Sequence, residues 1–266
     1  MAKKRTAVET KLWRASKPEP RPQGFYPRYG KRIFDCASAA AGLIVLSPVF
    51  LGVAAAVAIA SLRRAEPGPV FFPQRRAGKN GRPFSLIKFR TMAPAPTPDG
   101  GGPAITVAGD ARITPLGALL RRWKIDELPQ LWNVCKGDIS LVGPRPELEA
   151  FVTDYTAEQR RVLRVRPGIT DLASIAYRHE AEMLAEHENP QEWYRPVVLP
   201  HKLVLSLDYI ENISFTGDVA LILKTLGAVF FRRSERAKYA GPVLRGAELG
   251  QSGQARAGDV VPGSAK

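Results

Sequence analysis

With 266 residues, 45% of them apolar, the chain can bury a sizeable core, and it reads as one main domain with appendages. Its 39 Lys and Arg outnumber 25 Asp and Glu for a formal charge of +14, which calls for an anionic partner: nucleic acid, an acidic membrane surface or a phosphorylated substrate. Cys36 and Cys135 have no spacing that suits a zinc site or a disulfide framework, so they read as reduced, buried small hydrophobes of a cytosolic environment.

Residues 1–30, rich in Lys, Arg and Pro, read as a flexible basic arm near a membrane surface. From Cys36 to Leu62 there is no charged residue. As a straight helix that run would extend roughly 40 Å, against about 30 Å of bilayer hydrocarbon. Ser47-Pro48 falls near its middle, where proline removes a ladder hydrogen bond and bends the helix. Lys31 and Arg32 precede the run and Arg63 and Arg64 follow it, so both ends favour the cytoplasmic side. A re-entrant membrane helix hairpin over 31–64 satisfies both features; a tilted, kinked single span is the alternative. The rest of the chain is then expected to stay in the cytoplasm, with Val219 to Phe231 an amphipathic helix that packs on the domain or lies at the interface.

The hairpin is followed by a domain over 65–234. Val70-Phe71-Phe72 and Phe84 to Phe89 read as short strands around a basic, Gly-containing connection, Arg75 to Arg82. Residues 93–109, with little periodic pattern, read as a mobile loop. Thr114 and Pro115 suit the N-cap and first position of a helix ending near Trp123. Further helices are expected at about 147–164, 179–188, 197–210 and 217–231, and 235–266 reads as a disordered tail. His179, His187 and His201 lack a paired metal-ligand spacing and read as surface or packing residues.

The chemistry concentrates in Arg121 to Pro146. Asp126 and Glu127 are adjacent carboxylates among Arg121, Arg122, Lys124 and Arg145. A divalent metal needs hard oxygen ligands and phosphates need fixed donors, so this grouping suits phosphate chemistry. The pattern also reads as a plain helix start, with Asp126 as N-cap, Glu127 in the first turn and Lys136-Gly137 closing the helix. The two readings are compatible, since a helix N-terminus itself attracts anions. Gly143-Pro144-Arg145-Pro146 reads as a stiff turn that aims Arg145.

Six segments in order give a resemblance: KRIFD at 31–35, Ser47-Pro48, KFRTM at 88–92, IDELPQLWNV at 125–134, KGDISLVGPRP at 136–146 and RPGIT at 166–170. Over roughly Lys31 to Phe230 the chain resembles the monotopic phosphoglycosyl transferases, the bacterial sugar transferase family. The resemblance implies a mainly α fold with short β segments (α+β), in which a re-entrant membrane hairpin carries a compact cytoplasmic catalytic domain with interfacial helices. It implies transfer of a sugar phosphate from a UDP-sugar to a polyprenyl (undecaprenyl) phosphate at the bacterial inner membrane. The products would be UMP and the lipid-linked sugar that begins exopolysaccharide or other surface glycan assembly.

Carried over by position, Asp126 is the expected nucleophile and Glu127 its partner, the two holding Mg2+. Lys88, Arg90, Arg121 and Arg145, with Pro144 and Pro146 around the last, are the expected substrate-binding residues. Ser47 and Pro48 are the expected hairpin break. Where many relatives continue Gly-Trp-Ala-Gln after RPGIT, this chain has Asp171-Leu172-Ala173-Ser174, which bears on sugar preference. The lipid bilayer is an expected partner, nucleic acid is not, and self-association stays open. Competing readings are a membrane-anchored glycosyltransferase that releases UDP and a non-enzymatic nucleic-acid-binding or adaptor protein.

Overall fold

The computed structural model describes residues 24–62, 68–93 and 105–230. The arm through residue 23, the flanking Arg63 and Arg64, most of the 93–109 loop and the 235–266 tail lie outside the described residues. The described chain is mostly helical with four short strands.

Residues Tyr26–Gly30 form a wide helical turn that runs directly into helix α1, Lys31–Val45, so this end of the expected arm is helical. Helix α2, Ser47–Leu62, follows after one residue, Leu46, at an angle of 63°. The cause is Pro48, which has no N–H to give the carbonyl four residues back, that of Ile44. The Ser47 hydroxyl donates to that carbonyl at 2.7 Å instead. No single described helix is long and apolar enough to cross a membrane; only this bent pair meets that length and composition together. Its surface keeps Ile44, Val45, Leu51 and Leu62 at least 69% exposed.

The bent pair is held to the rest of the chain through the polar end of α1. Arg32 donates to the carbonyls of Val134 and Cys135 at 2.6 and 2.9 Å, and Asp35 accepts from the Ser140 hydroxyl at 2.6 Å and the Leu141 N–H at 3.1 Å. Asp218, fully buried, accepts from Lys31, Tyr26 and Tyr209 at 2.5, 2.7 and 2.8 Å. Buried charge is tolerated here because its lone pairs are taken up by donors.

Strands β1, Phe71–Ala77, and β2, Pro83–Phe89, pair antiparallel around a turn with Asn80 and Gly81 at positive φ. The pairing runs Phe72 opposite Lys88, Gln74 opposite Leu86 and Arg76 opposite Phe84. Alternation puts these six on one sheet face. Both strands extend the expected ones, so Arg75 and Arg76 are strand residues and not part of the turn. Helix α3, Pro115–Arg122, starts as expected: the Thr114 hydroxyl accepts from the Gly117 N–H at 2.9 Å. A Cβ on Gly117 would lie 2.0 Å from the Thr91 carbonyl oxygen, so only glycine lets this helix lie against the end of β2.

The carboxylate segment corrects the helix-start reading. Asp126 caps nothing: it lies inside a 3-10 turn, Ile125–Glu127, and helix α4, Gln130–Lys136, begins only after Pro129. The expected closure at Gly137 is present, at φ 93°. A second sheet, β3 (Ser140–Val142) parallel to β4 (Gly168–Thr170), was not expected from sequence, because three residues show no alternation. The expected helix at 147–164 is also corrected. It breaks into α5, Glu149–Val152, and a 3-10 stretch, Gln159–Arg164, because Thr156 and Gln159 cap each other and start a new turn.

Three short helices follow β4: α6 (Leu172–Ala176), α7 (Glu180–Ala185) and α8 (Pro190–Trp193). The long helices α9, Leu199–Glu211, and α10, Phe215–Phe230, close the described chain. Asp171 is fully buried and caps α6 by accepting from the Ser174 N–H at 2.7 Å. The largest core packs Phe151, Val152, Tyr155, Val162, Leu184 and Tyr194 against Leu203 and Leu207 of α9. A smaller core joins Val57 of α2 to Phe89 and Leu120.

Candidate active site

The carboxylates reach the sheet because of their apolar neighbours. Ile125 and Leu128 pack in the cluster of Leu120 and Phe89, which draws the turn between them against β2. Lys124 enters that turn in the left-handed region, at φ 56° and ψ 17°, a conformation that costs a non-glycine residue about 1 kcal/mol. Asn133, wholly buried, then fixes α4 to the sheet. Its Oδ1 accepts from the Ile87 N–H at 3.0 Å, and its Nδ2 donates to the Ser85 carbonyl at 2.8 Å and to Asp138 at 2.9 Å. These bonds set the spacing between Lys88 on β2 and the turn bearing Asp126 and Glu127.

Glu127 is the pivot. Its Oε1 accepts from Arg145 at 3.0 Å and Lys88 at 3.3 Å, and its side chain is 10% exposed. Burial works against its ionisation, but Arg145 and then Lys88 outweigh it and hold this carboxyl well below the usual carboxylate range. The pairing raises the Arg145 guanidinium further, Glu127 being the largest cause. Lys88 is lowered, because burial exceeds the help it receives from Glu127.

Asp126 is treated differently by the same surroundings. It is 6% exposed, and its Oδ1 is buried without a hydrogen-bond partner among the described residues. Burial first, and the Glu127 charge second, push its carboxyl above the ordinary value, against Lys88, Lys124 and Arg121. An unengaged buried oxygen is costly unless something else takes it up. Two adjacent carboxylates, one with this free acceptor, are a donor set of the hard-oxygen kind that a magnesium ion takes, so the residues fit that ion.

The structure brings Asp126, Glu127, Lys88 and Arg145 together. Arg121 lies within the field of both carboxylates, while its Nε donates to the Thr91 hydroxyl at 2.8 Å. Arg90 is spent elsewhere: its guanidinium bonds the Ser61 hydroxyl at the end of α2, linking the sheet to that helix. Pro144 and Pro146 are buried and act through their carbonyls, which accept from the Gly168 N–H at 2.9 Å and from Arg76 at 3.2 Å. They hold the Arg145 turn.

Asn133 and Thr91 stand inside expected motifs but had no role assigned. An amide within the apolar run Leu131 to Cys135 and a threonine directly after Arg90 were the available signals. Cys36 and Cys135 are free, as expected, but half-buried, which corrects the buried reading. His201 is buried against the Tyr177 hydroxyl at 2.5 Å, and His187 stacks on Trp193.

Comparison with known proteins extends this picture. Residues 26–232 match the family described as bacterial sugar transferase. A Bacillus subtilis protein named uncharacterized sugar transferase EpsL is 38% identical over 199 residues, covering 75% of this chain and 86% of the relative. A Caulobacter vibrioides UDP-glucose:undecaprenyl-phosphate glucose-1-phosphate transferase is 35% identical, covering 77% and 73%. A Rhizobium meliloti exopolysaccharide production protein, ExoY, is 32% identical, covering 76% and 86%. A match over most of the chain, by relatives covered over most of their own length, leaves one conclusion: this chain is an enzyme of the bacterial sugar transferase family.

Proposed function

We propose that the protein transfers a sugar 1-phosphate from a UDP-sugar to undecaprenyl phosphate at the cytoplasmic face of the bacterial inner membrane, releasing UMP, as the first step of exopolysaccharide or other surface glycan assembly. The relatives named for undecaprenyl-phosphate sugar phosphate transfer support the donor and acceptor classes. The observation that carries the reading is the division of labour in the carboxylate pair: Glu127 is tied to Arg145 and Lys88, while Asp126 keeps a buried oxygen free.

In this reading the free Asp126 oxygen attacks the phosphorus that bears the sugar. The bond from that phosphorus to the bridging oxygen breaks, and UMP leaves with the oxygen and its electron pair. Such a displacement depends mainly on alignment and charge neutralisation. Arg145 and Arg121 supply planar donors for the phosphate oxygens, and Lys88 a point charge. Asp126 and Glu127 would hold the magnesium ion, which when bound offsets phosphate negative charge. An oxygen of the polyprenyl phosphate then attacks the same phosphorus and frees Asp126. The sugar–oxygen bond is never broken, so the donor's anomeric configuration is retained.

The exposed apolar surface of the α1–α2 pair and its 63° bend support burial in one leaflet, where a soluble nucleotide sugar and a lipid phosphate can meet. The test is product analysis with protein in lipid nanodiscs, undecaprenyl phosphate and a panel of UDP-sugars. UMP together with a diphosphate-linked lipid sugar is expected, and without lipid acceptor a burst of UMP stoichiometric with enzyme. UDP as product overturns the reaction class. Turnover with no burst overturns the aspartyl intermediate.

A further inference from the structure

A second set of buried charges adjoins the Arg145 turn. Lys202, the fourth residue of α9, is 5% exposed. Its ammonium meets Glu180 at 3.0 Å, the Tyr194 hydroxyl at 3.1 Å and Glu147 at 3.6 Å. The Tyr194 hydroxyl in turn donates to Glu147 at 3.0 Å. Buried Glu147 and Lys202, with Glu180 half-buried beside them, carry a desolvation cost that apolar residues in the same space would avoid.

Glu147 stands two residues after Arg145. Around that arginine the backbone is tied down: Gly143 N–H to the Thr170 carbonyl at 2.9 Å, Ala77 N–H to the Glu147 carbonyl at 3.0 Å, and the two proline carbonyls as above. The guanidinium end is held by charge, and three carboxylates act on it: Glu127, which it bonds, then Glu180 and Glu147. Left uncompensated, Glu147 and Glu180 would compete with Glu127 for the same guanidinium.

We propose that Lys202 is a positioning residue for the transfer reaction: by neutralising Glu147 and Glu180 it keeps Arg145 on Glu127 and available to the donor phosphate. Lys202 stays charged despite its burial, because those two carboxylates more than offset desolvation. The proposal rests on the reading that Arg145 contacts the donor, and the experiment separates the two.

Steady-state kinetics with the preferred UDP-sugar would compare Arg145→Met, Lys202→Met, and Lys202→Met combined with Glu147→Gln, with thermal unfolding of each. Lys202→Met is expected to raise the donor KM about tenfold, the scale of one charge-assisted contact, with a smaller effect on kcat. The double variant should recover about half of that loss on a logarithmic scale, since Glu147, one of the two competing carboxylates, is gone while Glu180 remains. A rescue of that kind has no place in a purely structural role. A folded Lys202→Met with wild-type KM overturns the proposal, as does a double variant no better than the single. If Lys202→Met fails to fold, Tyr194→Phe carries the test: it removes the donor on Glu147, should raise KM about threefold, and should be corrected by Glu147→Gln. No effect there overturns the proposal too. If Arg145→Met leaves the donor KM unchanged, the assignment of Arg145 to the donor phosphate falls first, and this proposal with it.

Discussion

Replacing Glu127 by Gln tests the arrangement of the carboxylate pair most directly, because the geometry forecasts effects on stability and on pH dependence with definite signs. The substitution keeps the shape but leaves Lys88 and Arg145 without their shared anion. Their side chains are 18% and 32% exposed, so both are shielded enough for the loss to register. Breaking a buried ion pair by removing one partner costs about 3 kcal/mol, taken at the low end because the amide oxygen still accepts. For a domain of this size that is a fall in Tm of roughly 9 °C.

The folded-state carboxyl lies well below the ordinary value of 4.5. Its contribution is therefore fully present above the unfolded pKa and is lost as pH falls through the folded one. Wild type and Glu127→Gln should differ most near neutrality and converge in strong acid. Glu127 is also the second cause, after burial, of the raised Asp126 carboxyl. Removing it should shift the acid limb of kcat/KM to lower pH while lowering kcat severely. Thermal unfolding in nanodiscs across pH, with UMP release as the activity assay, measures both. An unchanged Tm with an unmoved acid limb would refute the account of Glu127 as the anion that satisfies Lys88 and Arg145.

Asp126→Asn is expected to lower turnover by about 10³-fold or more, as for other lost nucleophiles, without lowering Tm; near-normal activity would remove Asp126 from the nucleophile role. Its raised carboxyl means that the fold disfavours the ionised form, so at neutral pH the amide should hold Tm level or raise it. In the wild type, the acid limb of kcat/KM should lie above the ordinary aspartate value of 3.8, for the same reason. Arg145→Lys should weaken donor use by about tenfold although charge is kept, because lysine has no planar fork; unchanged kinetics would reduce the Pro-Arg-Pro segment to a structural turn. Replacing Ser47 with Ala and Pro48 with Leu should straighten the α1–α2 bend. Cysteine labelling near positions 20 and 70, with Cys36 and Cys135 removed, should find both ends of the wild-type hairpin inside and some of the variant with its ends on opposite sides. Wild-type position 20 alone reacting from outside the cell would refute the re-entrant topology.

Much was legible in the amino-acid order because the relevant signals are local. Pro48 lacks an N–H wherever the helix goes, so the break and its serine donor could be expected, as could the Thr114 cap and the Gly137 closure. The carboxylate pair was visible by charge alone. What the order of residues left open was which partner each charge would choose. Arg90 and Lys88 lie two apart in one motif, yet Arg90 serves the hairpin through Ser61 and Lys88 meets Glu127. Asp126 and Glu127 are neighbours, yet one is tied and the other free, because Arg145 approaches from 18 residues away and bonds only Glu127. The β3–β4 pairing and the Lys202 cluster likewise join segments distant in sequence. Capping and helix breaking are decided within one turn of chain, whereas ion-pair choice, burial and the pKa shifts that follow from them exist only once separate segments share a space closed to water.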